Sequence, residues 1–250
     1  MSDASRLPRF FSLLSFATLD STNDEAKRRA VAGAPEGLVI MADEQTAGRG
    51  RQGRRWQSPP GNLYASILLR PDRAPAAAAQ LGFAASLAAA EALSPLLPPQ
   101  CEPRCKWPND VLIEGRKIAG ILLESEATGL RLQWLVIGIG INIAAHPADA
   151  ETPATSLAAL GVPALAPSDL LSAVGEKLLS WYEVWQAEGF APLRVAWRAR
   201  ADNIGGEIRV RAAAGDERGR FVDLDEAGAL VLENEHGRRH ISAGAVFPAG

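Results

Sequence analysis

Residues 45–56 read Gln-Thr-Ala-Gly-Arg-Gly-Arg-Gln-Gly-Arg-Arg-Trp. Four Arg and no acidic residue fall between positions 45 and 62, in a chain whose net charge is −3. Glycines let backbone N–H groups come close to an anion, and arginine forks grip carboxylate or phosphate oxygens two at a time. This segment is therefore a candidate seat for an anionic ligand. Gly48, Gly50 and Gly53 also satisfy G-x-G-x-x-G. That fingerprint binds a dinucleotide only where it opens a helix inside a βαβ unit. Here Pro59-Pro60-Gly61 follows, then a strand pattern, so the dinucleotide reading is rejected. Neither GxxxxGK[ST] nor G-x-S-x-G occurs.

Lysine is scarce. The 26 basic residues include only four, Lys27, Lys106, Lys117 and Lys177, and two of these lie in the stretch 106–117. Lys117 opens an apolar strand, where its stem packs and its ammonium aims into a site. A compact ammonium beside a phosphoryl group stabilises the charge that develops there. Asp110, in the Pro108-Asn109-Asp110 turn, suits a magnesium ion or a cationic partner, or serves only as a polar turn residue. Gly138 and Gly140 interrupt an apolar strand, which favours close approach of another group to its backbone. Asn142 at the strand's end offers a donor and an acceptor for a nucleobase edge, with strand packing as the alternative. Ser21-Thr22-Asn23 stands at a helix start, where Thr22 and Glu25 have the spacing of a capping box. Such an end also accepts ligands.

The elements that must carry these groups follow from periodicity. Strands are predicted at 10–19, 37–44 and 63–69, with helices at 22–32 and 75–93. Next come a strand at 103–107, a hairpin of 111–113 with 117–127, and a strand at 130–143. Helices follow at 168–187, capped by Ser168 or Asp169, and at 190–201. From Gly205 the texture becomes short alternating strands at 207–213, 219–225, 229–234 and 239–247, a small barrel-like module that needs the larger part for its core.

A length of 250 residues fits one large unit and one small one. With 47% hydrophobic and 22% charged residues, wholesale disorder is excluded. The slightly acidic charge argues against a nucleic-acid coat. Cys101 and Cys105 alone make neither a zinc site nor a disulfide framework. The apolar run 10–17 is too short and too interrupted for a signal peptide, and no run of 18 apolar residues suggests a membrane span. A cytoplasmic protein with reduced thiols is expected.

Taken together, the motifs resemble those of the biotin protein ligases. The resemblance rests on Ser-Thr-Asn at 21–23, Gln-x-x-Gly-Arg-Gly-Arg-x-Gly at 45–53 with Trp56, Lys-Trp-Pro-Asn-Asp at 106–110, Arg-Lys-x-x-Gly-Ile-Leu at 116–122 and Gly-x-Gly-x-Asn at 138–142. It implies an α/β (α+β) fold: a class II synthetase-like catalytic domain, residues 1–203, with a mixed central sheet flanked by helices. An SH3-like β-barrel would occupy residues 204–250. It also implies a two-step reaction. Biotin and MgATP give biotinyl-5′-AMP and pyrophosphate, and a lysine of a biotin carboxyl carrier domain then takes the biotinyl group.

The same resemblance assigns residues. Ser21, Thr22, Asn23, Gln45, Arg49, Gly50, Arg51, Lys117 and Gly120 would bind biotin. Arg49, Arg51, Arg54, Trp56, Lys106, Asn109, Lys117 and Asn142 would bind ATP or the adenylate, with Asn142 at the adenine. Lys117, Arg51 and Asp110 would be catalytic, and Asp110 would assist Mg²⁺ or the attacking amine. The Gly-Arg loop would close over the adenylate and keep water out. Some family members carry an N-terminal winged helix and repress transcription. Only 20 residues precede Ser21 here, so no operator binding is expected. Neither nucleic acid nor membrane is an expected partner, and the chain would be a monomer or a homodimer. A lipoate or octanoate ligase is the neighbouring reading, but it needs an apolar tunnel, which Ser-Thr-Asn and Gln45 do not suit. An RNA-binding module would need an aromatic strand face, and aromatics are only 6% of the chain.

Overall fold

The computed structural model describes residues 7–212 and 215–248. Seven strands form the main sheet: β1 (Ser12–Leu19), β2 (Leu38–Gln45), β3 (Leu63–Leu69), β4 (Pro103–Lys106), β5 (Asp110–Ile113), β6 (Arg116–Thr128) and β7 (Arg131–Ile141). Their order is β1-β2-β3-β7-β6-β5-β4. β1 and β2 are parallel, which demands a crossover, and α1 (Thr22–Val31) supplies it. All other neighbouring strands are antiparallel.

Period-two alternation sorts the sheet's two faces. Leu38, Ile40, Leu68, Trp134 and Val136 point to one side, where they pack with Ala26 and Ala30 of α1. Val39, Met41, Ile67, Leu69, Ile137 and Ile139 point to the other, against the main core. There lie α2 (Pro75–Ala78), α3 (Leu81–Leu93), α4 (Pro167–Glu188) and α5 (Phe190–Ala199). β3 is buried along its whole length because helices cover both faces.

The structure corrects several predicted boundaries. The helix expected over 75–93 breaks at Ala79-Gln80. There the bonds shorten to i−3, with Gln80 N–H to Ala77 O at 3.0 Å and Phe83 N–H to Gln80 O at 3.0 Å. Gln80 is then free to accept the indole N–H of Trp185 at 3.0 Å. Ser21, not Thr22, caps α1, because Thr22 turns its hydroxyl to Gln45. Glu25 pairs with Arg28 and Arg29 instead of closing a capping box. α4 starts earlier than predicted, with Ala166 as its cap and Pro167 in the first turn, so Ser168 and Asp169 lie inside the helix.

The C-terminal module is a five-stranded antiparallel sheet in the order β11-β10-β9-β8-β12. Its strands are β8 (Glu207–Ala212), β9 (Gly215–Leu224), β10 (Leu230–Asn234), β11 (Gly237–Ile241) and β12 (Ala245–Pro248). The strand expected over 239–247 is two strands joined at 242–244, and Ala213 of the first predicted strand lies outside the described residues. At Gly244 a Cβ would come within 2.9 Å of the Arg211 carbonyl, so the crossing into β12 needs glycine.

One apolar cluster runs through both parts. Ile208, Phe221, Leu224 and Leu232 of the module join Leu87 of α3 and Trp197 of α5 in it. Asp223 pairs with Arg194 and Arg198, each at 2.8 Å. The buried indole of Trp107 donates to Gly228 O at 3.1 Å. Trp107→Phe should leave that carbonyl unpaired and cost about 1–2 kcal/mol of unfolding free energy, read as a lower urea midpoint. An unchanged midpoint would show that the bond contributes nothing to joining the two parts. The stretch Pro75–Leu96 is long and apolar enough to cross a membrane by composition, but 72% of its 18-residue window is buried inside the fold.

Candidate functional site

A cavity of about 340 Å³ opens above the middle of β6 and β7, a size typical of small-molecule sites. The register places Gly120 opposite Gly140 and Leu122 opposite Gly138. The Trp56 indole lies flat on the first pair. A Cβ at Gly140 would come within 2.7 Å of the ring, and one at Gly120 within 2.9 Å. The two glycines thus make room for an aromatic side chain supplied by another loop. Trp56 Nε1 is buried and has no partner among the described residues, which leaves it able to donate to a ligand.

The Gly-Arg loop is ordered by its own backbone. Arg49 and Arg55 form an antiparallel bridge, Gly50 N–H donates to Arg54 O at 2.7 Å, and Trp56 N–H donates to Gly48 O at 2.9 Å. The tip is a short 3₁₀ turn over Arg51–Gly53 in which Gln52 and Gly53 take positive φ. Gly48 is held close to Ser58 Oγ and Trp56 O, each 2.6 Å from where its Cβ would sit.

At one end the cavity is polar and uncharged. Ser21, Thr22 and Asn23 are buried at the start of α1. Gln45 Oε1 accepts from the Thr22 backbone N–H at 2.8 Å and its hydroxyl at 3.1 Å, while Gln45 Nε2 donates to Ser58 Oγ at 2.9 Å. Ser66 donates to Asn23 Oδ1 at 2.6 Å, and Asn23 Nδ2 donates to Glu124 at 2.8 Å. At Gly138 a Cβ would lie 2.2 Å from Asn23 Oδ1, so this glycine exists to let Asn23 in.

The other end is cationic. Lys117 Nζ stands 2.6 Å from Asp110 Oδ1 and 5.2 Å from the centre of the Trp56 ring. Among the described residues no hydrogen bond reaches Asp110 Oδ1, so the contact is an ion pair without hydrogen-bond alignment. Arg51 donates to Asn109 Oδ1 at 3.2 Å and to Gly244 O at 3.3 Å, and burial pulls its guanidinium below its usual range. Asn109 Nδ2 is held by Ile121 O at 2.6 Å. Burial likewise lowers Lys106, which lies over the Phe247 ring.

All the predicted site residues line this cavity, and several of their side chains are already paired within the protein, Arg49 and Asn142 among them. Arg49 makes a two-pronged pair with Asp24 and lies 3.5 Å from Glu124. Arg49, with Lys27 beside it, holds the Asp24 carboxyl well below the usual carboxylate range. Asn142 donates to Thr155 O at 3.0 Å, stitching the end of β7 to the segment before α4.

Sequence reasoning missed other wall residues. Tyr64 of β3 lines the wall, and Ser66 of the same buried strand lies behind Asn23, which accepts from its hydroxyl. The segments 147–154 and 244–247 gave no signal, since they reach the cavity only through tertiary folding, and the same holds for Glu124, which stands behind Asn23.

No group of three or more His, Cys, Asp or Glu among the described residues could hold a metal. Asp110 is a single carboxylate already facing an ammonium, so it does not make a resident metal site. The arrangement as a whole can seat a neutral polar group at one end and gather negative charge at the other, with an aromatic platform between.

Comparison with known proteins agrees. Residues 15–142 match the biotin/lipoate A/B protein ligase family, and residues 204–247 match the biotin protein ligase C-terminal domain. The chain is 41% identical over 240 residues to the biotin–[acetyl-CoA-carboxylase] ligase of Paracoccus denitrificans, covering 94% of this chain and 99% of that one. It is 35% identical to the bifunctional ligase/repressor BirA of Bacillus subtilis, covering 89% of this chain and 70% of BirA. Among solved structures, the Aquifex aeolicus biotin protein ligase in complex with biotin and ATP superposes with a TM-score of 0.79 at 28% identity, over 94% of this chain and 97% of that one. Fold, cavity and both matched segments agree, and the chain belongs to the biotin protein ligase branch of the biotin/lipoate A/B protein ligase family.

Proposed function

We propose that this enzyme joins biotin to ATP as biotinyl-5′-AMP and passes the biotinyl group to one lysine of a biotin carboxyl carrier domain. The observation that carries this reading is the two-ended cavity, neutral and polar at Thr22–Gln45–Asn23 and cationic at Lys117–Arg51–Lys106. In the first step a biotin carboxylate oxygen bonds to the α-phosphorus and the bond to pyrophosphate breaks. In the second the carrier lysine's amine attacks the acyl carbon, gives up a proton, and AMP leaves.

In this scheme the Ser21–Asn23 cap, Gln45 and Gly50 hold biotin's ureido ring, with Gly120 close beneath. Lys117 and Arg51 meet the carboxylate and α-phosphoryl oxygens, where charge accumulates. Arg49 acts through the loop it ties to α1. Arg54, Lys106 and Asn109 serve the phosphates of MgATP, Trp56 the adenylate, and Asn142 the adenine end. Asp110 sets the position of Lys117 and is placed to assist the incoming amine. A cytoplasmic location fits the two free cysteines, since burial pushes the Cys105 thiol up to about 12 and keeps it unreactive.

The test is mass measurement of a carboxylase carrier domain after incubation with the enzyme, biotin and MgATP. One biotinyl group on one lysine is expected. ATP–pyrophosphate exchange driven by lipoate and not by biotin would overturn the reading. Within it, Arg51→Ala should let biotinyl-AMP escape into solution about tenfold faster, because the loop loses its bonds to Asn109 and Gly244, which together are worth about 1.4 kcal/mol or more. Rapid filtration after single-turnover adenylation reads that rate, and unchanged retention would free the loop of its lid role.

A further inference from the structure

Three basic side chains converge at the mouth of the cavity from three separate parts of the chain. Arg54 comes from the Gly-Arg loop, Lys106 from β4 and Arg211 from β8. Left alone they would repel one another. Glu151, on the segment between β7 and α4, stands among them. One of its carboxylate oxygens is 2.6 Å from Arg211 and the other 3.2 Å from Arg54. Arg211 first, then the fields of Arg54 and Lys106, hold this carboxyl below its usual range. Beneath the cluster lies Phe247 of β12, with Arg211 at 4.7 Å, Arg209 at 4.9 Å and Lys106 at 5.6 Å from the ring centre. Arg209 has its own partner in Asp216 at 2.7 Å.

Stability does not explain Glu151. All three members of the Arg54–Glu151–Arg211 cluster are close to half exposed, and pairs of that kind contribute little to folding. A carboxylate inside a ring of cations, at the mouth of a site for a polyphosphate substrate, instead has the charge and place of a ligand group.

We propose that Glu151 is a built-in anion occupying the seat of the nucleotide's phosphate tail. The incoming phosphates displace it from Arg54 and Arg211, and it returns as pyrophosphate departs. Arg211 is then the C-terminal module's own contribution to nucleotide binding. This rests on the ATP-dependent reading above. Its consequence is directional. Because the carboxylate competes for the same cations, it weakens the hold on pyrophosphate, speeds its exit and disfavours the reverse reaction.

The test uses inorganic pyrophosphate with magnesium as the probe, titrated calorimetrically into the full chain without biotin. Glu151→Gln removes the competing charge and keeps the shape. It should tighten pyrophosphate binding about five- to tenfold, whereas Arg211→Gln should weaken it by a similar factor. In steady state both shifts should appear in KM for ATP and not in KM for biotin. If Glu151 were instead a brace that positions the two arginines, Glu151→Gln would weaken pyrophosphate binding, and that sign, or no change, overturns the proposal. Failure of the wild type to support biotin-dependent exchange would overturn the ligase reading, while the sign of the Glu151→Gln shift still decides this one.

Discussion

Replacing Lys117 by alanine is expected to slow biotinyl-adenylate formation by about 10²-fold or more, the usual result of removing a preorganised donor from a developing charge. The fold should survive the change. Lys117 is tied in by its backbone, donating its N–H to Pro153 O at 2.7 Å and accepting from Thr155 N–H at 2.9 Å, and alanine keeps both bonds. What is lost is the ammonium between Asp110 and the Trp56 ring. Asp110 is then left as a carboxylate without its counter-charge, which repels the incoming carboxylate and phosphates. Lys117→Arg should restore little, because a planar fork does not fill the place of a compact ammonium wedged against an indole. Biotin-dependent ATP–pyrophosphate exchange measures the effect. Near-normal exchange in Lys117→Ala would remove this side chain from the chemistry, and transfer from preformed biotinyl-AMP would show which half-reaction it serves.

Gly138→Ala is the second large effect. Its methyl would be built 2.2 Å from Asn23 Oδ1, and Asn23 has nowhere to retreat. That side chain is buried and held on both sides, by Ser66 at 2.6 Å and by Glu124 at 2.8 Å. The expected outcome is displacement of Asn23 with loss of one or two hydrogen bonds in the chain that runs through Ser66 and Thr22 to Gln45. At about 1–1.5 kcal/mol for each bond, KM for biotin should rise about 10- to 100-fold. KM for ATP should move far less, since Lys117, Arg51 and Lys106 stand at the other end of the cavity. Equal changes in both constants would mean that Gly138 supports the sheet and not the polar end.

Much of this site was legible in the residues themselves. Gly138 and Gly140 stood out because glycine is costly in a strand unless something must approach it, and Asn23 and Trp56 are what approach. The Arg-Gly pattern and the rare Lys117 pointed to one place, and both line the same cavity. The strand at 63–69 fell where periodicity placed it, since its turn residues and Pro71 leave it no freedom. What stayed hidden depended on distant parts of the chain. Nothing near position 124 says that Asn23, Lys27 and Arg49 will all gather on that carboxylate. The segment 147–154 reads as a polar connection, and only the fold makes it a wall. The capping box at Thr22 was a fair local inference that lost to a tertiary one, because Gln45 offered Thr22 a better partner. Arg49 likewise looked like a free ligand-binding cation until Asp24, one turn into α1, claimed it.

The boundary expected at 203/204 separates two sheets but not two cores, and Gly244–Phe247 line the same cavity as Ser21 and Gln45. This has a temporal side. A ribosome delivers the chain from its N-terminus, and every other cavity-lining residue precedes Gly244 in that order. A nascent or prematurely ended chain therefore lacks the carbonyl that anchors Arg51 and the ring beneath Lys106. On the reaction proposed above, the means to contain a lysine-reactive acyl adenylate would be complete only once β12 has been added, so an unfinished chain would lack part of the cavity that holds it.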